Sequence, residues 1–171
     1  AFRSHYLKER LKTPLRARTM MGHIRFATRG NMEYDNCHPF RKDDISGRSW
    51  TLIHNGTIFD CPLLDQYVHT QTGQTDSERI LLYIVDQINR AREKKLREMP
   101  SPEKERASDK YPAAELTAEE RCRVIDQAVA SLAPGNKLNL LLFDGEILYT
   151  HTNLRGTLHS CHVGDTALFA T

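Results

Sequence analysis

The amino-acid sequence predicts an α+β fold, and three observations lead to this prediction. Strand patterns occur towards both ends of the chain, two capped helix patterns lie between them, and an Asp-Gly pair joins two apolar runs near the C-terminus. Because strands and helices are grouped and do not alternate, a layered α+β domain is favoured over repeated βαβ units. With 171 residues, the chain is long enough to bury one core, so we expect a single domain over residues 1–171.

Charge and composition exclude several classes of protein. The 24 basic and 22 acidic residues leave a net charge of +2, which gives no reason to expect nucleic acid or a membrane surface as partner. The sequence contains no apolar run of bilayer length and no signal-peptide pattern, so we expect a cytoplasmic protein. The four cysteines show no CxxC pairing and are predicted to be reduced thiols. Histidines and cysteines lack zinc-motif spacing, so no metal and no cofactor is expected.

The first half of the chain predicts two strands. Residues 7–18 are basic and contain a proline, which indicates a short helix or loop leading into a strand over residues 20–27. A second strand is predicted over residues 50–54, which include β-branched side chains. The pair Asn55-Gly56 is interpreted as a turn that ends this strand and points its N–H groups outward, since both residues tolerate positive φ.

Two capping boxes predict two helices. In the first, the Thr75 hydroxyl would accept from the third N–H of a helix while Glu78 reaches back to the cap. An apolar stripe at helical spacing follows it. The second box, Thr117 to Glu120, opens a helix that Pro134-Gly135 ends. Its residues predicted to face inward are Cys122, Ile125, Val129 and Leu132.

The segment between the helices and the end of the chain complete the prediction. Residues 90–110 are more than half charged and contain two prolines, which indicates a solvated helix end and a loop. Residues 138–143 and 147–150 flank Asp144-Gly145 and form the clearest hairpin pattern in the sequence. A further strand pair is predicted around residues 157–162 and 167–171.

Four short motifs follow one another in fixed order in the first half of the chain: Arg25-Phe26-Ala27-Thr28-Arg29-Gly30, Asn36-Cys37-His38-Pro39-Phe40, His54-Asn55-Gly56 and Thr75-Asp76-Ser77-Glu78. Together they resemble the glutaminase domain of the class II glutamine amidotransferases, a branch of the N-terminal-nucleophile hydrolases. Arg29 stands where the sugar-synthase members have histidine, which makes the resemblance closest to the small stand-alone glutamine amidotransferase-like proteins. The resemblance implies a four-layer αββα sandwich and hydrolysis of the side-chain amide of glutamine, or of another γ-glutamyl amide, to glutamate and ammonia.

The resemblance assigns an oxyanion hole to Asn55 and Gly56. Amide hydrolysis needs donors aimed at the oxyanion that forms when the carbonyl is attacked. A side-chain amide and a backbone N–H are suitable donors, and in the family the matching asparagine and glycine supply them. The simpler interpretation of the pair is a turn without function.

The resemblance also assigns the substrate-binding residues. A guanidinium meets a carboxylate with two parallel hydrogen bonds, so Arg25 suits the α-carboxylate of glutamine, while Asp76 suits the α-ammonium group. In the family, backbone around the residue matching Thr28 assists, and the histidine matching His38 belongs to the wall of the glutamine site. Taken singly, Arg25 could pair with a structural carboxylate, Asp76 could cap a helix, and His38 could be a partly buried structural histidine.

The nucleophile of the family is a cysteine at the first position of the mature chain, whereas this chain begins with Ala1. Only 24 residues precede Arg25, fewer than in the family. We therefore expect a segment carrying the N-terminal cysteine to precede Ala1, and a C-terminal end to follow residues 169–171, which fall within a strand of the family pattern.

Two alternatives stay open. A non-catalytic module could bind glutamine or a partner through the same residues. An internal cysteine hydrolase could use Cys37 or Cys61 with His38 or His54, although neighbours on one strand point to opposite faces. The sequence contains no acceptor domain for ammonia, so a stand-alone glutaminase, or one that feeds an ammonia-accepting synthase partner, is favoured over a complete synthase.

Overall fold

The fold is α+β, as the sequence predicts. The computed structural model describes residues 5–14, 16–24, 33–100 and 115–171. These residues form three α-helices: α1 (His5–Leu11), α2 (Asp76–Glu98) and α3 (Ala118–Leu132). They also form six strands: β1 (Phe40–Asp43), β2 (Ser49–His54), β3 (Asn139–Phe143), β4 (Leu148–Thr152), β5 (His159–Val163) and β6 (Thr166–Ala170). Two 3₁₀ turns lie at Tyr34–Asn36 and Pro62–Tyr67.

The first four strands form one antiparallel sheet in the order β1-β2-β3-β4, and β5 and β6 form a separate hairpin. In the centre of the sheet, Leu52 lies opposite Phe40 on one side and Leu142 on the other. The predicted turn at Asp144-Gly145 joins β3 to β4, and Gly145 has a φ of 90°, which explains the glycine.

The core lies between the sheet and the two long helices. Trp50 and Leu52 of β2 are fully buried and belong to the same cluster as Leu142 of β3 and Ile84 of α2. Because side chains alternate along a strand, the neighbouring residue Ile53 faces the other side of the sheet, away from the helices. The helices α2 and α3 therefore cover one face of the sheet, and Ile53 lies on the opposite face.

One capping box is confirmed and the other is half right. Thr117 and Glu120 form both reciprocal hydrogen bonds at the start of α3. At α2, the Thr75 hydroxyl accepts from the Glu78 N–H at 3.3 Å, as predicted. The Glu78 carboxylate, however, accepts from the N–H groups of residues 72 and 73, at 2.7 and 2.8 Å, because the preceding loop folds over the first turn of the helix.

The first strand lies at a different place from the prediction. The described residues 20–24 are irregular, which contradicts a strand there, and residues 25–27 lie outside the described residues. The sheet begins instead with β1, which the sequence analysis missed. Its only buried residue is Phe40, so this edge strand carries almost no alternating apolar pattern.

Part of the charged segment also differs from the prediction. Helix α2 continues to Glu98, and Arg92 within it is buried. Lys95 Nζ lies 2.7 Å from Glu120 Oε2 and thereby joins α2 to α3. Residues 101–110 of the predicted loop lie outside the described residues. In α3, Cys122 is exposed and does not face inward as predicted, whereas the other three predicted inward-facing residues are buried.

All four cysteines are free thiols, as predicted. Among the helices that the structure describes, none combines the length and the apolar character needed to cross a membrane.

Candidate active site

A cavity of about 900 Å³ lies between the face of the sheet that carries Ile53 and the first turn of α2. Ile53 and Leu141 form its floor, and residues 169–171 at the end of β6 form part of its wall. The cavity brings together His38, Asn55 and Asp76, three of the six residues predicted to form the site.

The other three predicted residues are not among the described residues that line the cavity. Arg25 and Thr28 lie outside the described residues, but residues 22–24, which directly precede Arg25, line the cavity. Gly56 follows Asn55 in the chain and is not part of the cavity lining.

The backbone bends at Gly56 but continues to pair with residues 137–139, and neither Asn55 nor Gly56 has positive φ, so the predicted sharp turn is wrong. The Asn55 N–H donates to the Asn139 carbonyl at 2.9 Å and the Asn139 N–H donates back at 3.2 Å. Two residues further on, the Thr57 N–H donates to the Lys137 carbonyl at 2.9 Å, in the same register as β2 and β3. Gly56 does not have positive φ; its glycine is explained by space, because a Cβ there would collide with the Lys137 carbonyl oxygen.

The side chain of Asn55 is bound by the end of the hairpin. Its Nδ2 donates to Thr171 Oγ1 at 2.7 Å. This contact links the main sheet to the hairpin at the cavity wall. Thr171 was not among the residues predicted for the site, and nothing in the residues around it signals this contact.

Asp76 is the first residue of α2, and its carboxylate has two neighbours. Its Oδ2 accepts from the Ile58 N–H at 3.0 Å, and its Oδ1 lies 3.4 Å from the Ser77 hydroxyl. Thr75, not Asp76, caps the helix. The simpler interpretation of Asp76 as a helix cap is therefore not supported.

His54 connects the end of β2 to the start of α2 and to the chain before β3. Its Nδ1 lies 2.9 Å from Ser77 Oγ, and its Nε2 lies 3.1 Å from the Lys137 carbonyl oxygen. A carbonyl only accepts, so Nε2 carries the proton and Nδ1 accepts from the hydroxyl. Burial lowers the pKa of His54, against the opposing effects of the Lys137 carbonyl and the Asp76 charge.

These contacts argue against the internal cysteine hydrolase. Both ring nitrogens of His54 are already engaged, so this histidine has no free nitrogen with which to deprotonate a thiol. Neither Cys37 nor Cys61 lines the cavity. The Cys37 thiol donates to the Glu33 carbonyl at 3.4 Å.

His38 belongs to a small aromatic group at the cavity wall. Its Nδ1 lies 3.2 Å from Nδ1 of His23, and its ring packs edge-on against Phe40 with centroids 4.7 Å apart. His23 also lines the cavity and was not predicted. The two histidines lie far apart in sequence, so their pairing could not have been found from spacing.

Asn36 fixes the loop that leads into Asp76. Its side chain is fully buried, and its Oδ1 accepts from the Gln74 N–H at 2.7 Å. Gly73 lies so close to Asn36 that a Cβ there would clash with it. The second sequence motif therefore holds the fourth motif in place through this loop.

A second cavity of about 490 Å³ lies between α3 and the strands β3 and β4. Its lining is mostly apolar and includes none of the residues predicted for the site.

Comparison with known proteins decides the family. The sequence model of the class II glutamine amidotransferases matches residues 3–163. The chain belongs to this family. It is 26% identical over 152 residues to a provisionally named glutamine amidotransferase of Haemophilus influenzae, with 88% of this chain and 45% of that protein covered. It is 29% identical over 143 residues to the provisionally named glutamine amidotransferase YafJ of Escherichia coli, with 82% of this chain and 48% of that protein covered.

This class II chain thus spans about half the length of these two relatives. A solved structure supports the fold: the glutamine phosphoribosylpyrophosphate (PRPP) amidotransferase of B. subtilis matches with a TM-score of 0.54 and 18% identity, over 86% of this chain and 26% of that one. At this identity the likeness shows the fold alone.

Proposed function

We propose that residues 1–171 are the glutamine-binding part of a glutaminase domain that hydrolyses the side-chain amide of glutamine, or of another γ-glutamyl amide, to glutamate and ammonia. The observation that carries this proposal is the cavity in which His38, Asn55 and Asp76 meet, although they come from three separate motifs. A cavity with a few convergent polar groups is the usual form of a small-molecule site.

The two ends of the substrate's amino-acid group are bound by opposite charges in this proposal. Asp76 accepts from the α-ammonium group; its carboxylate, held by the Ile58 N–H, lines the cavity. Arg25 binds the α-carboxylate through its guanidinium fork, assisted by backbone around Thr28. Residues 22–24, which directly precede Arg25 in the chain, line the cavity. His38 forms part of the wall.

Asn55 and Gly56 supply the donors for the oxyanion. The Asn55 side chain lies at the cavity, and its main chain is fixed by paired hydrogen bonds to Asn139. In an antiparallel pair, a residue between two hydrogen-bonded pairs directs its N–H away from the partner strand. We therefore expect the Gly56 N–H to point away from β3, on the side of β2 where pairing with β1 stops at Leu52.

The nucleophile in this proposal is an N-terminal cysteine outside residues 1–171. Its α-amine, with an ordinary pKa of about 7.7–8.0, takes the thiol proton. The thiolate attacks the side-chain carbonyl carbon, and the oxyanion is held by Asn55 and Gly56. The C–N bond then breaks, the amine returns the proton, and ammonia leaves. Water hydrolyses the resulting thioester, which releases glutamate and restores the thiol.

The ammonia would be used by an acceptor site in a synthase partner or elsewhere in the same polypeptide. We also propose that the whole glutaminase domain has the four-layer αββα arrangement, of which the helices, the main sheet and the β5–β6 hairpin are parts. The four free thiols fit a reducing cytoplasm.

The test uses the full-length protein and a diazoketone analogue of glutamine. We expect glutamate and ammonia to form from glutamine, and the analogue to attach to one cysteine, located by mass spectrometry at the N-terminus. Excess glutamine should protect that cysteine. Cys122→Ser, at an exposed thiol outside the cavity, is the matched control and should label like the parent protein.

Each other outcome rejects part of the proposal. Attachment at Cys37 or Cys61 would move the chemistry to an internal cysteine. Binding of glutamine without hydrolysis or labelling would support the non-catalytic binding module. Absence of both binding and hydrolysis would reject glutamine as the substrate.

A further inference from the structure

The hydrogen bond between Asn55 and Thr171 assigns a role to the hairpin. We propose that Thr171 is a positioning residue for the reaction, which holds the Asn55 amide in the orientation that aims its second N–H at the oxyanion. This inference rests on the proposed function. It extends that function, because both the main sheet and the end of the separate β5–β6 hairpin would then contribute residues to the oxyanion site.

The main chain and the side chain of Asn55 are held by different parts of the molecule. Its backbone forms two hydrogen bonds with Asn139, whose own Oδ1 accepts from the hydroxyls of Thr152 and Thr157 at 2.7 and 2.9 Å. The backbone is therefore fixed by β3 and its surroundings. The side chain is exposed, so packing does not restrict the rotation of its amide. The bond to Thr171 Oγ1, at 2.7 Å, supplies that restriction.

The hydrogen-bonding capacity of the amide makes this arrangement suitable for catalysis. An asparagine Nδ2 carries two hydrogens, of which one is donated to Thr171. The other stays available within the same plane. Donors that are already oriented when charge develops need no reorganisation at that moment, which is the basis of oxyanion stabilisation. Loss of the threonine hydroxyl should therefore affect the transition state more than the bound substrate.

The experiment compares Thr171→Val with Thr171→Ser in the full-length protein. Valine keeps the shape and removes the acceptor, whereas serine keeps the acceptor. We expect Thr171→Val to lower kcat for glutamine roughly 2- to 13-fold, the rate equivalent of one hydrogen bond, with KM within about twofold of the parent value. Thr171→Ser should restore most of kcat. Thr166→Val, at the exposed start of β6 and outside the cavity lining, is the control and should match the parent.

A second readout separates positioning from a structural effect. The maximal rate of inactivation by the diazoketone should fall with Thr171→Val by a similar factor, while its half-saturating concentration stays unchanged. Parent-like kcat and inactivation in Thr171→Val, equal losses in the valine and serine variants, or a change confined to KM would each overturn the role of Thr171. If the parent protein itself neither hydrolyses glutamine nor reacts with the diazoketone, the proposed function fails instead.

Discussion

The imidazole Nδ1 of His54 and the hydroxyl of Ser77 lie 2.9 Å apart and join the end of β2 to the first turn of α2. His54 directly precedes Asn55, and Ser77 directly follows Asp76. Asn55 and Asp76 are both proposed for the site. The hydrogen bond therefore fixes the distance between the proposed oxyanion donor and the proposed ammonium partner. His54 is only 2% exposed, so this link is formed away from water.

The buried state of His54 predicts a pH dependence of stability. Burial lowers its pKa from the ordinary value of 6.5, so the folded protein favours neutral His54. The stability that neutral His54 contributes to the folded state is fully present above pH 6.5. As the pH falls from there through the folded-state pKa, the free energy of unfolding decreases by up to about 1.4 kcal/mol per pH unit. Urea unfolding between pH 8 and pH 5 should show this loss.

A matched pair of variants assigns this effect to one histidine. His54→Gln keeps a donor and an acceptor without titrating, so the dependence on pH should become weaker. His69→Gln, at an exposed position, should keep the dependence of the parent protein. Equal pH profiles for both variants would mean that His54 is not the group responsible.

Local sequence patterns correctly predicted those caps and turns whose hydrogen bonds are formed between residues close in sequence. The box at Thr117 and the Asp144-Gly145 turn are confirmed because their partners lie within a few residues. Strand β1 was missed because pairing with β2, and not its own pattern, makes it a strand. The predicted Asn55-Gly56 turn was wrong for the same reason: the backbone of residues 137–139, distant in sequence, pairs with residues 55 and 57 and continues the sheet past Gly56.

The candidate site shows the same limit. Motif order selected His38, Asn55 and Asp76, and the structure places all three at one cavity. Residues that join the cavity through distant contacts, such as His23 and Thr171, carry no local pattern that could reveal them. Their identification required the three-dimensional arrangement of the chain.

Gly56→Ala should destabilise the fold. The added Cβ would collide with the Lys137 carbonyl oxygen, which already accepts from Thr57 and His54, so backbone must shift. We expect a loss of at least about 1–3 kcal/mol in the free energy of unfolding, measured by denaturant titration. Gly22→Ala is the control, because a Cβ there meets no atom within 4 Å. Equal stability of the two variants would contradict the close approach at Gly56.

Asp144→Asn should destabilise the connection between β3, β4 and α3. Asp144 is buried, and its Oδ2 lies 2.8 Å from Nε of the buried Arg121. Removal of the carboxylate charge leaves the guanidinium with the more exposed Glu146 as counterion, so we expect a loss of about 3–5 kcal/mol in the free energy of unfolding.

The control for Asp144→Asn is an exposed ion pair. Glu93→Gln breaks the pair with Arg97, at 3.8 Å on the surface of α2, and should change the free energy of unfolding by less than about 1 kcal/mol. Both variants are compared by thermal and denaturant unfolding at neutral pH. A loss below about 1 kcal/mol for Asp144→Asn would mean that the buried pair contributes little.

Asn55→Ala should lower kcat for glutamine about 100- to 1,000-fold, because one of the two proposed oxyanion donors is lost. KM should change little, since the groups proposed to bind the α-carboxylate and α-ammonium stay in place. Steady-state release of glutamate measures both constants. Gln127→Ala, at an exposed position of α3, should behave as the parent. If Asn55→Ala raised KM and left kcat unchanged, Asn55 would contribute to substrate binding and would not be an oxyanion donor.

Asp76→Asn separates the charge of Asp76 from its structural hydrogen bond. The amide oxygen can still accept from the Ile58 N–H, so the fold at the start of α2 should be kept. The substrate's ammonium group loses a charged partner, which should raise KM about 10- to 150-fold, the equivalent of one hydrogen bond to a charged group. Because the oxyanion donors are unchanged, kcat should fall much less. Asp65→Asn, at an exposed position of the 3₁₀ turn Pro62–Tyr67, should leave KM unchanged. If Asp76→Asn hydrolyses glutamine with an unaltered KM, Asp76 does not bind the ammonium group. Another group of the cavity would then have to bind it.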